Sequence, residues 1–283
     1  MISLVEILQK TETWFRDRGI DSPRLEAELI LAHVLQMNRV ALYLNYDRPL
    51  TEEELATSRA LVARRGKREP LAWILGQKAF HEIDLVVHPG VFVPRADTET
   101  LVNAALEWFT EREQPLYVAD VCCGTGAVGL TLAHLRENIR LFSVDLSPEA
   151  LANTRENVQR LALSERVAVL SSSLLDKVPA HRPIHWVVSN PPYIPTSDIQ
   201  QLMPEVSQFE PRLALDGGTD GLDVYRKLIS HTVRRASRGI LMEIGVHQAP
   251  AVMDLCRRAK LVDITSWKDL NGISRVIGAK KQL

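Results

Sequence analysis

The chain of 283 residues has little cysteine, little net charge and no long apolar runs. Its three cysteines, two of them adjacent, make a poor disulfide framework, and no Cys/His cluster has the spacing of a zinc site. No run approaches the roughly 18 apolar residues of a membrane span, and the start of the chain lacks the pattern of a secretory signal. We therefore expect a globular protein of the cytoplasm with no membrane partner and no bound metal.

The formal net charge is −1, so no overall field draws the chain to a phosphate backbone. Basic residues cluster locally at 64–68, 234–235 and 257–258, where a solvated helix end or face is the simpler interpretation. The first cluster could also contact ribosomal RNA or an acidic protein surface. The overall charge nevertheless argues against direct binding of nucleic acid.

The spacing of apolar residues divides the chain into three parts. Residues 1–75 have helical spacing, with helix starts at Ser22-Pro23 and at the capping box of Thr51, and predict a small helical bundle that docks the substrate. Alternating apolar residues in 76–93, with His88-Pro89-Gly90 as the turn, predict a β-hairpin linker. The larger domain then covers residues 94–283.

Strand-like and helix-like stretches alternate after residue 115. This alternation predicts right-handed crossovers and a mainly parallel sheet with helices on both faces, an α/β fold of the Rossmann-like kind. The predicted strands are 116–121, 139–144, 167–170, 184–189, 239–244, 261–267 and 274–279. The last two are separated by a loop with Asn271-Gly272, so we expect them to form an antiparallel hairpin at the end of the chain.

A glycine-rich segment, Cys122-Cys123-Gly124-Thr125-Gly126, follows the first of these strands, and Gly129 completes the pattern G-x-G-x-x-G. Asp145 ends the next strand 21 residues after Gly124, where dinucleotide folds place the acid that binds ribose hydroxyls. An NAD-dependent enzyme is therefore a competing interpretation. Asp120, however, would repel a pyrophosphate and would favour the sulfonium and ammonium groups of S-adenosylmethionine. The predicted cofactor-binding residues are Asp120, Cys122, Cys123, Gly124, Thr125, Gly126, Asp145 and Asn190.

The segment Asn190-Pro191-Pro192-Tyr193 follows an apolar strand and suits the binding of a planar NH2 group. The Asn190 side-chain carbonyl and the Pro191 backbone carbonyl accept hydrogen bonds, and the two prolines stiffen the loop. Tyr193 adds a flat face. Two acceptors that draw the amide hydrogens out of plane would localise the nitrogen lone pair towards an electrophile. The predicted substrate-binding residues are Asn190, Pro191, Pro192 and Tyr193, of which Asn190, Pro191 and Tyr193 are the predicted catalytic residues.

Together these motifs resemble the HemK family of N5-glutamine methyltransferases, which methylate peptide chain release factors. Segments that are similar to family signatures occur in family order at 68–76, 93–99, 190–195, 209–215, 218–222 and 242–245. The resemblance implies a class I methyltransferase fold, S-adenosylmethionine as the methyl donor and S-adenosylhomocysteine as the product. It also implies that the substrate is the glutamine of the Gly-Gly-Gln motif in class 1 release factors.

The chain departs from the family pattern at three places. Cys122 stands where glycine is frequent, Ala96-Asp97 replaces the more usual Pro-Glu, and Ser173-Leu174 stands where an acid and an aromatic often meet the adenine. Four other interpretations stay open: glutamine methylation of ribosomal protein L3, adenine N6 methylation of nucleic acid, NAD-dependent oxidation, and a binding module without activity. The stretches 209–215 and 220–225 look more like the release-factor branch.

Overall fold

The computed structural model describes residues 2–282, which divide into two compact units. The first unit comprises the described residues up to Gly76 together with Pro204–Phe209. The second unit comprises Gln77–Met203 and the described residues from Glu210 onward. The first unit therefore takes up a short segment that lies far along the chain.

Helices dominate the first unit, as the sequence predicts. They are α1 Leu4–Arg16, α2 Pro23–Leu35, α3 Arg39–Leu44, α4 Glu52–Gly66 and α5 Leu71–Leu75. Thr51 and Glu54 form the predicted capping box at the start of α4. Ser22 stands at the N-cap of α2, before Pro23, but its side chain makes no capping hydrogen bond. The apolar helix faces form two buried clusters, one around Leu8 and one around Phe15.

All three arginines of the basic cluster at 64–68 form ion pairs inside this unit, and Arg64 pairs with Glu69. Arg65 is 4% exposed, binds Glu26 and lies 2.7 Å from Glu205. Arg68 also lies 2.7 Å from Glu205. The guanidinium groups of Arg65 and Arg68 hold the segment Pro204–Phe209 against the helices. They therefore have a structural role and do not form a free basic surface.

A small antiparallel sheet opens the second unit, with strands β1 Gln77–Phe80 and β2 Ile83–Val86. The hairpin turn lies at His81-Glu82, where His81 has φ of 51°. The prediction that 88–90 forms the hairpin turn was wrong, because those residues form a separate turn after β2. Along one strand, buried residues recur at every second position. Phe80 and Ile83 are three residues apart, so they belong to two different strands with a two-residue turn between them.

The main sheet of the second unit has seven strands. The remaining strands of the chain are β3 Leu116–Val121, β4 Ile139–Asp145, β5 Val167–Ser171, β6 Ile184–Ser189, β7 Ala236–Glu243, β8 Leu261–Lys268 and β9 Ser274–Lys281. They lie in the order β5-β4-β3-β6-β7-β9-β8. The first five are parallel, and β9 joins antiparallel to both β7 and β8. The predicted α/β fold with an antiparallel C-terminal hairpin is confirmed.

Helices connect these strands and cover the sheet. The remaining helices are α6 Glu99–Trp108, α7 Ala127–Leu135, α8 Pro148–Arg160, α9 Pro204–Ser207, α10 Asp223–Arg235 and α11 Ala249–Arg258, of which α9 belongs to the first unit. Val187 and Ile240 of the sheet and Tyr225 of α10 are fully buried in the core between the layers. Among residues 2–282, no helix is both long enough and apolar enough to cross a membrane.

The strand register brings the carboxyl ends of the central strands level with one another. Val121 of β3 pairs with Val144 of β4 and with Ser189 of β6, and Ser189 pairs with Met242 of β7. The loops that leave these strands therefore start side by side. In open parallel sheets this edge is where ligands bind.

Candidate active site

A cavity of 630 Å³ opens at this edge of the sheet. The predicted site residues that line it are Asp120, Cys122, Cys123, Gly124, Thr125, Asp145, Asn190, Pro191, Pro192 and Tyr193. Gly126 lies behind the wall as the N-cap of α7, with φ of 84°. The structure thus places the glycine-rich loop and the Asn-Pro-Pro-Tyr loop on one cavity, although about 65 residues of chain separate them.

The glycine-rich loop forms a tight turn that leaves open space beside it. The Gly126 N–H donates to the Cys123 carbonyl at 2.7 Å, and both Gly124 and Gly126 have positive φ. A Cβ at Gly124 would meet no atom within 4 Å, whereas a Cβ at Gly126 would lie 2.6 Å from Leu130. Glycine at 126 thus permits the turn to pack on α7, and the turn at Gly124 leaves room for a ligand to approach the backbone.

The two adjacent cysteines are free thiols within this turn, of which Cys123 is buried and Cys122 partly buried. Burial raises the pKa of both the Cys122 and the Cys123 thiol well above the usual range, and the nearby acids raise it further. The Cys123 sulfur lies 3.6 Å from the Thr154 hydroxyl. Since the thiolate is the reactive form, these residues fill space in the turn and are not nucleophiles.

Asp120 supports the turn from below. Asp120 is 1% exposed, and its Oδ2 accepts a hydrogen bond of 2.9 Å from the Gly129 N–H. A Cβ at Gly129 would lie 2.7 Å from the same oxygen, so glycine is required for this close approach of helix and strand. Burial raises the pKa of Asp120 to about 7. The hydrogen bond from Gly129 acts in the opposite direction and lowers this pKa, but its effect is smaller.

Asp145 keeps some hydrogen-bonding capacity for a ligand. Its Oδ1 accepts from the N–H groups of Leu146 and Ser147 at 2.8 and 3.0 Å. Its Oδ2 accepts from the Gly124 N–H at 2.9 Å. A carboxylate offers about four lone-pair sites, so one remains on Oδ2 for a ligand hydroxyl.

The charges around the cavity distinguish between the two cofactors that the sequence left open. The charged residues in its wall are Asp120, Asp145, Glu149, Asp216 and Lys227. Four acids and one lysine give a wall that attracts the sulfonium and ammonium groups of S-adenosylmethionine and repels a pyrophosphate. The residues present therefore fit S-adenosylmethionine, and they argue against NAD.

The Asn-Pro-Pro-Tyr loop is held by hydrogen bonds at both ends. Asn190 Nδ2 donates to the Thr98 hydroxyl oxygen at 3.1 Å, which leaves the Asn190 carbonyl oxygen as the end available to a ligand. The Tyr193 hydroxyl donates to Glu243 Oε1 at 3.3 Å, and Gln248 Nε2 donates to the Tyr193 carbonyl at 2.9 Å. The loop therefore presents its acceptor atoms from a fixed position.

Several residues that support this loop were not predicted as site residues from the sequence. A Cβ at Gly217 would lie 2.8 Å from the Tyr193 backbone, and a Cβ at Gly221 would lie 2.4 Å from the Tyr193 carbonyl oxygen. Thr98, the N-cap residue of α6, and Glu243, the last residue of β7, also contact the loop. These residues lie within or beside the family signatures at 93–99, 218–222 and 242–245, but the sequence does not show that these segments contact the Asn-Pro-Pro-Tyr loop.

Known proteins provide an independent comparison. The PrmC N-terminal domain family matches residues 6–76, and the methyltransferase small domain family matches residues 82–207. The chain is 40% identical over 277 residues to the release factor glutamine methyltransferase of Geobacter sulfurreducens, which covers 97% of this chain and 95% of that protein. The protein of the same name from Caulobacter vibrioides is 37% identical over 285 residues, with 100% and 98% covered.

A solved structure agrees at the level of the fold. The hMettl16 catalytic domain in complex with the MAT2A 3'UTR hairpin 6 superposes with a TM-score of 0.56 at 12% identity. The match covers 77% of this chain and 81% of that one. The sheet is thus that of class I methyltransferases. Because the chain is 37–40% identical to the two bacterial proteins over nearly its full length, it belongs to the release factor glutamine methyltransferase family.

Proposed function

We propose that this protein methylates N5 of the glutamine in the Gly-Gly-Gln motif of class 1 peptide chain release factors, and that it does so in the cytoplasm. The observation that carries this proposal is the hydrogen bond of 3.1 Å from Asn190 to Thr98. It directs the Asn190 carbonyl oxygen, an acceptor, to a ligand in the cavity. The names of the bacterial relatives support the choice of substrate.

The acid-lined part of the cavity would hold the methyl donor. Asp145 offers an acceptor for a ribose hydroxyl, and the turn at Gly124 leaves room for close approach. Ser173 and Leu174 line the same cavity and supply a hydroxyl and an aliphatic surface for the adenine. When bound, S-adenosylmethionine supplies an electrophilic methyl group and becomes S-adenosylhomocysteine.

The Asn-Pro-Pro-Tyr loop would hold and activate the glutamine side chain. The Asn190 side-chain carbonyl and the Pro191 backbone carbonyl each accept one hydrogen of the carboxamide, and the Tyr193 ring packs against its plane. These acceptors localise the nitrogen lone pair, which is otherwise delocalised into the amide. No general base is needed before the bond forms, because the methylated nitrogen is strongly acidic and releases its proton to water. Alignment of the reactants can contribute about 7–11 kcal/mol in favourable systems.

The helical region, residues 1–75, would serve as the docking module for the release factor, with 76–93 as the linker and 94–283 as the catalytic domain. Val40 and Leu44 on α3 are 69% and 81% exposed, and such apolar surface is typical of contact sites. The paired variant Val40→Glu and Leu44→Glu should raise KM for an intact release factor several-fold and leave KM for a Gly-Gly-Gln peptide unchanged. Equal effects on both substrates would contradict docking by α3.

The test of the proposed reaction uses a labelled methyl donor and three separate substrates: release factor, ribosomal protein L3 and RNA. We expect label in the release factor, and none when the glutamine of its Gly-Gly-Gln motif is replaced by alanine. Label in RNA alone or in ribosomal protein L3 alone would overturn the proposed substrate. The negative cavity wall and the absence of a strong net positive charge favour the protein substrate over RNA.

A further inference from the structure

One face of α8 is buried but polar. Asn153, Thr154 and Asn157 are each 0% exposed, and spacings of three and four residues place them on the same side of the helix. Apolar side chains would be enough to pack this face on its neighbours. Amide and hydroxyl groups that leave water are costly unless they are hydrogen-bonded, so three of them on one buried face indicate that the face binds particular partners.

Asn157 connects two segments that lie far apart in the chain. Its Nδ2 donates to the backbone carbonyl oxygens of Thr125 and Val86, at 3.0 Å each. Its Oδ1 accepts from the Val86 N–H at 2.8 Å. The side-chain amide thus uses its NH2 group twice and its carbonyl oxygen once. Thr125 belongs to the glycine-rich loop and Val86 ends β2, so one side chain holds both segments at once.

Thr154 adds a second bond to the glycine-rich loop. Its hydroxyl donates to the Gly124 carbonyl oxygen at 2.8 Å. A Cβ at Gly126 would lie 3.2 Å from the Thr154 methyl group, so the loop packs directly on α8. Together the hydrogen bonds from Thr154 and Asn157 fix the orientation of two successive carbonyl groups in the loop that borders the cavity.

The segment that follows β2 is held by two asparagines. Asn153 Oδ1 accepts from the His88 N–H at 3.0 Å, and its Nδ2 donates to the Val86 carbonyl oxygen at 2.8 Å. Asn157 binds both the N–H and the carbonyl oxygen of Val86. Residues 90–92 then line the cavity. If Asn153 were removed, Asn157 would still hold Val86 through both of its backbone groups.

We infer that Thr154 and Asn157 are positioning residues for the methyl-donor site, an inference that rests on the proposed function. They lie behind the cavity wall and fix the path of the glycine-rich loop. Asn157 also fixes the segment after β2, so it sets the distance between two parts of the wall. Aspartate at this position would lack the two N–H donors, and alanine would lack all the hydrogen-bonding groups. Loss of either residue should therefore weaken ligand binding from behind the wall.

Asn153→Ala is the matched control for Asn157→Ala. Both variants remove a fully buried amide from the same face of α8, together with one of the two donors to the Val86 carbonyl oxygen. Each also leaves buried backbone groups without a partner and should be destabilised in urea, so a purely structural role predicts similar Kd values for the two.

Calorimetry with S-adenosylhomocysteine separates positioning from stability. Asn157→Ala should raise the Kd at least about tenfold, whereas Asn153→Ala, in which Asn157 still holds the loop and Val86, should stay within about threefold of wild type. Equal Kd values in the two variants, or a wild-type Kd in Asn157→Ala, would overturn the inference.

Thr154→Val tests the loop without opening a space in the core. It keeps the shape of the side chain and removes the bond to the Gly124 carbonyl oxygen, so the Kd of S-adenosylhomocysteine should rise at least about threefold. Thr154→Ser keeps the hydroxyl and should stay within twofold of wild type. A wild-type Kd in Thr154→Val, or a rise that Thr154→Ser shares, would overturn the inference even if Asn157→Ala does not fold.

These measurements need no release factor, so they separate the inference from the proposed substrate. A wild type that binds S-adenosylhomocysteine but methylates no release factor would overturn the proposed substrate, and the Kd values would still decide the inference. A wild type that binds no S-adenosylhomocysteine would overturn both.

Discussion

The Gly129 N–H donates a hydrogen bond of 2.9 Å to the buried carboxylate of Asp120. This contact joins the first turn of α7 to the end of β3, and it lies directly under the glycine-rich loop. The third glycine of G-x-G-x-x-G is thus explained by the approach of helix and strand, independently of any ligand. Asp120 acts as a brace for the loop as well as part of the cavity wall.

Asp120 should make stability depend on pH. Burial raises its pKa from 3.8 to about 7. Because the folded pKa lies above the unfolded one, the contribution of this group is fully present below the unfolded pKa and is lost as the pH rises through the folded pKa. The asparagine of Asp120→Asn does not titrate. Between pH 4 and 8 the free energy of unfolding should therefore fall less in this variant than in wild type, and the difference between the two falls should be up to roughly 4 kcal/mol. Urea unfolding at stepped pH measures this, and parallel pH profiles would contradict it.

Gly221 should be required for activity because of what it contacts. Its φ is 72°, and a Cβ there would lie 2.4 Å from the Tyr193 carbonyl oxygen. Gly221→Ala should displace the acceptor loop and lower kcat at least about tenfold, a loss near 1.4 kcal/mol in transition-state stabilisation.

Gly272 provides the matched control for that substitution. Its φ is 78°, and a Cβ there would meet no atom within 4 Å. Gly272→Ala carries similar backbone strain, roughly 1–2 kcal/mol, but should leave kcat unchanged. Equal losses of kcat in the two variants would show that backbone strain, and not the contact with Tyr193, causes the effect.

The ion pairs of Glu205 should stabilise the helical unit. Glu205 is 9% exposed and lies 2.7 Å from both Arg65 and Arg68. Glu205→Ala should lower the free energy of unfolding by about 1–3 kcal/mol, less than for an isolated buried pair because Arg65 keeps Glu26. Asp254→Ala removes an exposed pair with Arg258 and should change stability by less than about 0.5 kcal/mol. Urea unfolding that ranked the two variants equally would contradict the structural role of Glu205.

Much of the fold could be predicted because its signals are local. The strand Leu116–Val121, the glycine turn after it and the Asn-Gly loop before β9 each depend on residues within a few positions of one another. The β1–β2 hairpin was placed with the wrong turn because a strand of four residues offers too few alternations to fix its register.

The support of the site could not be predicted because it depends on distant parts of the chain. Thr98 and Asn190 are 92 residues apart, and Tyr193 and Glu243 are 50 apart. No periodicity relates such pairs. Tyr193 and Glu243 meet because Tyr193 follows β6 and Glu243 ends β7, and these strands are neighbours in the sheet. The grouping of Pro204–Phe209 with the helical unit could not be predicted either, because it depends on contacts of Glu205 with two arginines far earlier in the chain.

The most direct test of the central claim is the single-turnover rate of release factor methylation by Asn190→Ala, measured with enzyme in excess. Loss of the Asn190 acceptor should lower this rate at least about 100-fold, the effect of removing one preorganised hydrogen-bonding group at a reaction centre. The Kd of S-adenosylhomocysteine should stay within twofold, and Asn271→Ala in the exposed β8–β9 turn should behave as wild type. A normal single-turnover rate in Asn190→Ala would contradict the proposed grip on the glutamine amide.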